Sequence, residues 1–163
     1  MTYAWYQPVR IPEGEQAPDF RLDSTDGEFH LYSDLKKGPR LFMSYMGNFG
    51  TGCTYALKQL ADATPDLEAL GARVAAMSVN SIDLHRRFLA RMDFPFPLIS
   101  DPGGEVAGLY GFRITKHMLY EGMAGRSVYL IDSDGKILYS WIHPDPAGIP
   151  NFAELIESVR ALL

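Results

Sequence analysis

Cysteine occurs once, at position 53, in a chain of 163 residues. An internal disulfide is therefore impossible, which excludes a disulfide-stapled secreted scaffold. It also excludes a thiol exchanger that works by closing its own disulfide. Runs of one charge are missing too. Fifteen Lys and Arg stand against twenty Asp and Glu, leaving a net charge of -5. With no basic cluster there is no electrostatic footprint for nucleic acid or for an anionic membrane surface. No apolar stretch approaches the roughly 20 residues that span a bilayer. The opening MTYAWYQPVRIPEGEQAP lacks a basic segment followed by an apolar run, so no signal peptide is expected. The four histidines, His30, His85, His117 and His143, are far apart and lack ligand spacing, so neither a metal nor another cofactor is expected. Repeats, low-complexity tracts and linkers are absent as well. These absences lead to the expectation of a soluble cytoplasmic protein with one domain over residues 1–163, led by an arm over residues 1–13. Tyr3, Trp5 and Tyr6 suit that arm to lie on the protein's own surface or, alternatively, on a partner.

What is present is patterned for a packed α/β fold. Hydrophobic residues make up 47% of the chain and charged ones 21%, a globular balance that supports one substantial core. DFRLDSTDGEFHLYSDL reads as two short strands around an Asp-Gly turn. PRLFMSYM and RVAAMSV are apolar runs suited to strands buried on both faces. Between them Thr51 to Leu70 has helical spacing, with Pro65 expected to kink or restart the helix. SIDLHRRFLARM reads as a helix capped by Ser81 or Asp83. FPLIS, GEVAGLYG and the hairpin RSVYLIDSDGKILYSWI follow, with Asp132 and Asp134 serving the turn at Gly135. A helix from Pro150 to Leu162 ends the chain. This order predicts a three-layer α/β/α arrangement with helices on both faces of a central mixed sheet.

The cysteine closes the stretch GNFGTGC, which leads out of a buried strand and into a helix. In open α/β sheets, chemistry collects where strands end and helices begin. A helix N-terminus offers unpaired N–H groups and about half a positive charge, both favouring an anion. A free thiol, with an ordinary pKa near 8.5, is lowered in such settings. Gly47, Gly50 and Gly52 leave bare backbone through which a small substrate reaches the sulfur and N–H groups point at it. The competing reading is a buried cysteine that packs as a small hydrophobe. Tyr45, Phe49 and Trp141 form either an apolar mouth for organic substrates or part of the core. Arg113 to His117 either border the site or form a solvated loop.

Several segments, in order, resemble the peroxiredoxins, the AhpC/TSA branch of the thioredoxin fold. The likeness runs from about Gly14 to the last helix. GEQAPDFRLDSTDGEFHLYSDL resembles the family's G-x-x-APDF-x-L opening. MSVNS stands where the family has a strand and a Ser-x-Asp segment. FPLISDPGGEVAGLYGF and GRSVYLIDSDGKI resemble two further family segments, the second carrying an arginine, here Arg126. The resemblance implies a thioredoxin-like fold and reduction of hydrogen peroxide or organic hydroperoxides by a cysteine thiolate, which becomes a sulfenic acid. Cys53 would be the attacking group and Arg126 the cation beside it.

The cysteine motif departs from the family pattern P-x-x-x-T-x-x-C: Met46 takes the proline position and Gly50 the threonine position. Thr51 lies one residue, about 100° of helix, away from the family hydroxyl. The resemblance then leaves the N–H groups of Gly52 and Cys53, with Thr51 or Thr54, to bind the peroxide. A second alignment likens YMGNFGTGC to the YRGxWCPxC of a peroxiredoxin-like branch, with Gly50 in place of the first cysteine, which leaves only a monothiol role. With a single cysteine the implied enzyme depends on an outside reductant, either a small thiol or a thioredoxin-like protein, or on a second subunit of a homodimer. The alternative is a redox-silent thioredoxin-fold module that binds a ligand or partner.

Overall fold

The computed structural model describes residues 6–163. Tyr3 and Trp5 of the expected arm lie outside the described residues. From Tyr6 onward the arm is tied to the body. Tyr6 is buried, Val9 N donates to Gly111 O at 2.9 Å, and Ile11 N donates to the Tyr129 hydroxyl at 3.1 Å.

The elements in chain order are β1 Arg21–Ser24, β2 Gly27–His30, α1 Leu31–Leu35, β3 Arg40–Ser44, α2 Thr51–Ala69, β4 Arg73–Ser78, α3 Ile82–Met92, β5 Leu98–Ser100, α4 Glu105–Leu109, β6 Ser127–Ile131, β7 Ile137–Ile142 and α5 Phe152–Leu162. The strands form one sheet in the order β2-β1-β5-β4-β3-β6-β7. β3, β4 and β5 run parallel, and the pairs on either side of them are antiparallel. The sheet is therefore mixed, as the sequence predicts.

Alternation along the buried strands builds two cores, because successive side chains leave opposite faces. Leu41, Met43, Val74, Ala76, Val128 and Leu130 face the layer that contains α2, α3 and α5. Phe42, Ala75, Met77, Tyr129 and Ile131 face the other layer, with Leu31 and Leu35 of α1 and Val106 and Ala107 of α4. On that second face the aromatic rings of Phe20, Phe42, Tyr110 and Tyr129 pack largely edge-to-face, with centroids 5.2–6.2 Å apart.

Local chemistry accounts for most boundaries. The β6–β7 turn uses Gly135 at φ 86°, and Asp132 Oδ1 accepts from the N–H groups of Asp134 and Lys136, each at 2.9 Å. Ser81 rather than Asp83 caps α3, accepting from Leu84 N at 3.3 Å. The expected restart at Pro65 does not occur, and α2 runs through it without interruption. Thr64 Oγ1 donates to Leu60 O at 2.8 Å one turn back, and packing of Leu57, Leu60, Ala63 and Leu67 into the first core outweighs the hydrogen bond that the proline removes.

Where α1, β3 and β4 converge, Asp34 gathers two arginines. It accepts from Arg40 Nε at 2.9 Å and Nη2 at 2.8 Å, and from Arg73 Nη1 at 3.0 Å and Nη2 at 3.1 Å. Burial works against ionisation of this carboxyl, but the bonds from Arg40 and Arg73 outweigh it and hold the group below the usual carboxylate range. Its contribution is thus complete above the unfolded-state value of about 3.9 and is lost as pH falls through the lower folded-state value. Asp34→Asn should destabilise the protein by roughly 3 kcal/mol at pH 7 by stranding two cations. In urea unfolding, the gap between wild type and variant should close as the pH is lowered below about 4.

Candidate active site

β3 delivers the chain to Tyr45, and residues 46–50 carry it across the end of the sheet to α2. Gly50 is the N-cap residue of α2, in extended conformation, and has no side chain with which to cap. The first intrahelical bond runs from Thr54 N to Gly50 O at 2.8 Å. The N–H groups of Thr51, Gly52 and Cys53 precede that bond, so they have no partner within the helix. Cys53 is the third residue of α2, and its side chain turns inward, leaving the residue 6% exposed.

Arg126 stands one residue before β6, which pairs antiparallel with β3. It is 2% exposed. Its Nη2 donates to Cys53 Sγ at 3.1 Å across a separation of 73 residues. Nη1 donates to Ala147 O at 2.8 Å and Gly148 O at 3.0 Å, and the main-chain N donates to Pro146 O at 3.2 Å. Among the described residues no carboxylate pairs with this arginine, and its Nε is buried without a partner. The buried guanidinium is thus held by carbonyl dipoles on one side and aimed at sulfur on the other.

The carbonyls that hold Arg126 belong to a tight turn. His143 Nδ1 accepts from Asp145 N at 2.9 Å, Asp145 Oδ1 accepts from Ala147 N at 2.9 Å, and Gly148 N donates to Asp145 O at 2.9 Å. Gly148 lies against the His143 side chain so closely that a Cβ there would overlap the ring carbon and Cβ of that residue. No motif in the sequence marks residues 146–148 for this role.

The other predicted site residues divide. Gly50, Thr51 and Gly52 lie exposed around the helix start, and Thr54 is half-buried behind it. Phe49 is 51% exposed, with φ 64°, and its ring meets Phe88 of α3 edge-on at 4.8 Å. Tyr45 is not at the mouth of the site. It is fully buried in the first core, and Trp141 is partly buried against that same core. Both follow the core reading, because the period of β3 and β7 turns them toward α2 and α5. Burial, and after it the nearby Cys53 sulfur, push the Tyr45 phenol well above its usual range against a bond with Ser78. The segment Arg113 to His117 leads to an exposed turn at Met118 and Leu119, while Met123 is the residue of that loop that approaches Gly47.

A polar chain that the sequence reading did not find lies under the loop. The Tyr45 hydroxyl donates to Asn48 Oδ1 at 2.6 Å. Asn48 Nδ2 lies 3.1 Å from His85 Nδ1, and His85 Nε2 lies 3.0 Å from Ile99 O. A carbonyl only accepts, so Nε2 carries the proton and neutral His85 accepts from Asn48 through Nδ1. Burial pushes His85 down to about 4, opposed by its bonds to Ile99 and Ser78, which keeps the ring neutral near pH 7. Asn48 N also donates to Asn80 Oδ1 at 2.9 Å. Among the described residues no three His, Cys, Asp or Glu side chains are grouped to hold a metal ion, and no helix is long and apolar enough to cross a membrane.

The arrangement can hold a sulfur anion, orient it with a fixed cation and present open N–H donors beside it. Comparison with known proteins gives this geometry a context. The profile of the AhpC/TSA family matches residues 13–140. The chain is similar to the 1-Cys peroxiredoxin of Dictyostelium discoideum, 30% identical over 153 residues that cover 88% of this chain and 61% of that one. It is also similar to the selenocysteine-containing peroxiredoxin PrxU of Peptoclostridium acidaminophilum, 30% identical over 161 residues, or 93% and 77% of the two chains. Among solved structures, peroxiredoxin 6 of Arenicola marina superposes with a TM-score of 0.84 at 22% identity, covering 93% of this chain and 73% of that one. A yeast mitochondrial 1-Cys peroxiredoxin, solved for its thiol resolving mechanism via glutathione/thioredoxin systems, superposes with a TM-score of 0.79 at 23% identity, covering 93% and 76%.

The turn that holds Arg126 yields a direct test. Gly148→Ala should cost about 1–3 kcal/mol in urea unfolding, the usual effect of overpacking. Pairing it with His143→Gly should recover most of that loss, whereas His143→Ala should not, because the His143 Cβ is itself in the way.

Proposed function

The chain belongs to the AhpC/TSA family, and on that premise we propose that it is a thiol peroxidase that works through its one cysteine. The observation that carries the reading is the 3.1 Å contact from Arg126 Nη2 to Cys53 Sγ. The Cys53 thiolate attacks the terminal oxygen of the peroxide. A sulfur–oxygen bond forms as the oxygen–oxygen bond breaks, sulfur is oxidised to a sulfenic acid, and the leaving oxygen departs as water or an alcohol after taking a proton. The charge that develops on the leaving oxygen is the quantity to be stabilised, and fixed donors aimed at it are the efficient means. Arg126 is suited to hold sulfur and oxygen together, since its planar fork stays charged and presents several N–H groups in fixed directions. The free N–H groups of Gly52 and Cys53 take the place of the hydroxyl that Gly50 lacks.

The redox-silent reading rests on Met46 and Gly50. It leaves without purpose a buried arginine that has no carboxylate partner among the described residues and is aimed at the only thiol of the sequence, an arrangement that is costly to fold around. A sulfenic acid in a one-cysteine chain needs an outside electron donor. By likeness to the yeast enzyme, whose resolving runs via glutathione/thioredoxin systems, the reductant is a small thiol or a thioredoxin-like protein. A cytoplasmic location would supply either. The consecutive exposed apolar residues Met118, Leu119 and Tyr120 are available for pairing with a second copy as a homodimer.

Reduced protein mixed with one equivalent of hydrogen peroxide, then of an organic hydroperoxide, should gain one oxygen at Cys53 many-fold faster than a simple peptide thiol, as read by intact mass. Cys53→Ser should show no such gain. Arg126→Ala should slow it about 100-fold or more, and Arg126→Lys should not restore it, because a single ammonium cannot bond the two carbonyls and the sulfur in the same geometry. Equal rates in wild type and Arg126→Ala would remove Arg126 from the mechanism.

A further inference from the structure

The loop between β3 and Cys53 lacks the usual means of stiffening. Met46 has no ring to fix its backbone angle, and Gly50 has no side chain with which to cap the helix. The backbone nevertheless takes a demanding path. Phe49 holds φ 64°, a left-handed conformation that crowds the Cβ of a non-glycine residue against its own backbone carbonyl. Something must impose that turn, and the ring contact with Phe88 acts only on a half-exposed side chain.

Asn48, the residue before Phe49, is bonded at three points. Its Oδ1 accepts from Tyr45, its Nδ2 donates to His85, and its main-chain N donates to Asn80 Oδ1. Each anchor is itself fixed. Tyr45 follows β3 directly, and its N–H donates to Met77 O at 2.9 Å. Asn80 Oδ1 also accepts from Ser78 Oγ at 2.9 Å, and Asn80 O accepts from Ser100 Oγ at 2.6 Å. His85 is fully buried on α3, and its Nε2–H is committed to Ile99 O of β5. That commitment settles the tautomer, so Nδ1 is an obligatory acceptor pointing at the loop. An amide serves between a donor phenol and an acceptor imidazole because it accepts through its oxygen and donates through its nitrogen. Asn48 meets that need, whereas a carboxylate at 48 would set an oxygen against the His85 lone pair.

We propose that Asn48 and His85 are positioning residues for the Cys53 site: the hydrogen-bonded chain Tyr45–Asn48–His85–Ile99 imposes the turn at Phe49 and so fixes where the first turn of α2 presents its N–H groups and its sulfur. Neither side chain is bonded to the sulfur. Their effect is on the alignment of the thiolate with peroxide, where a displacement of about 1 Å costs on the order of 100-fold in rate. The kinetic part of the proposal rests on the peroxidase reading; the conformational part does not.

The test uses His85→Leu, Asn48→Ala and the double variant in the full chain. Three quantities are read in each: the rate of Cys53 oxidation by hydrogen peroxide, the rate of its alkylation by iodoacetamide, and hydrogen exchange at the amides of residues 48–54. The expected result is a loss of about tenfold or more toward peroxide, alkylation within about threefold of wild type, and faster exchange at 48 and 54, whose N–H groups are bonded to Asn80 Oδ1 and Gly50 O. The double variant should be no slower than the slower single one, because both residues act through one chain. Iodoacetamide needs no aligned leaving oxygen, so a merely structural role would lower both rates together. Peroxide rates within about twofold of wild type, parallel loss toward both reagents, or additive losses would each overturn the proposal. If His85→Leu does not fold, Asn48→Ala on the half-buried loop decides alone. If wild-type Cys53 reacts with peroxide no faster than a peptide thiol, the peroxidase reading fails and exchange decides for the latch: unchanged exchange overturns it, faster exchange supports it.

Discussion

A guanidinium taken out of water, with no carboxylate among the described residues to neutralise it, is the constraint around which the rest of this molecule is arranged. Guanidinium is a permanent cation in proteins, so the surroundings of Arg126 must supply the compensation. They do so with carbonyl oxygens on one side and sulfur on the other. The turn over residues 143–148 exists in its compact form because two of its carbonyls face Arg126 and because glycine at 148 lets the backbone pass under His143. From the far side the Cys53 sulfur, carried on the first turn of α2, accepts from the cation. The protein also shows the other solution to the same problem: Arg40 and Arg73 share the carboxylate of Asp34. The first arrangement leaves a field directed at sulfur, while the second shares one carboxylate between two cations and joins α1 to two strands.

Much of this architecture is legible in the chain. Asp-Gly turns mark both hairpins, apolar runs mark the buried strands, and the periodicities of α3 and α5 match their buried faces. The pairing of Cys53 with Arg126 is a different matter. Seventy-three positions separate them, and neither composition nor spacing joins them; only the resemblance of two segments to one family did so. The structure supplies the physical link in the pairing of β3 with β6.

Other features were out of reach for physical reasons. His85 sits in an amphipathic helix where a histidine is unremarkable, and its bonding follows from tertiary contacts with Asn48 and Ile99 that no local pattern encodes. Asn48 reads as an ordinary loop residue. Tyr45 stands next to a glycine-rich loop and reads as equally suited to a mouth or a core, and its burial depends on how β3 meets α2. Pro65 predicts a kink or a restart, and packing instead carries α2 through it without a break. In each case the local rule was sound, and a longer-range contact outweighed it.

The register of β3 against β6 has a further consequence. Ser44 stands opposite Ser127, their hydroxyls lie 2.6 Å apart, and Ser44 Oγ also donates to Gly125 O at 2.7 Å. The strand residue before the cysteine loop is thus pinned on both sides of the arginine. A slip of one residue would carry Arg126 about 3.4 Å along the strand and turn its side chain to the opposite face. The interval between cation and thiol is therefore counted in whole residues and admits no gradual adjustment. Chain length can drift in the turn that joins β6 to β7, but insertion or deletion within either paired strand would break the alignment in one step while leaving a sheet that still pairs.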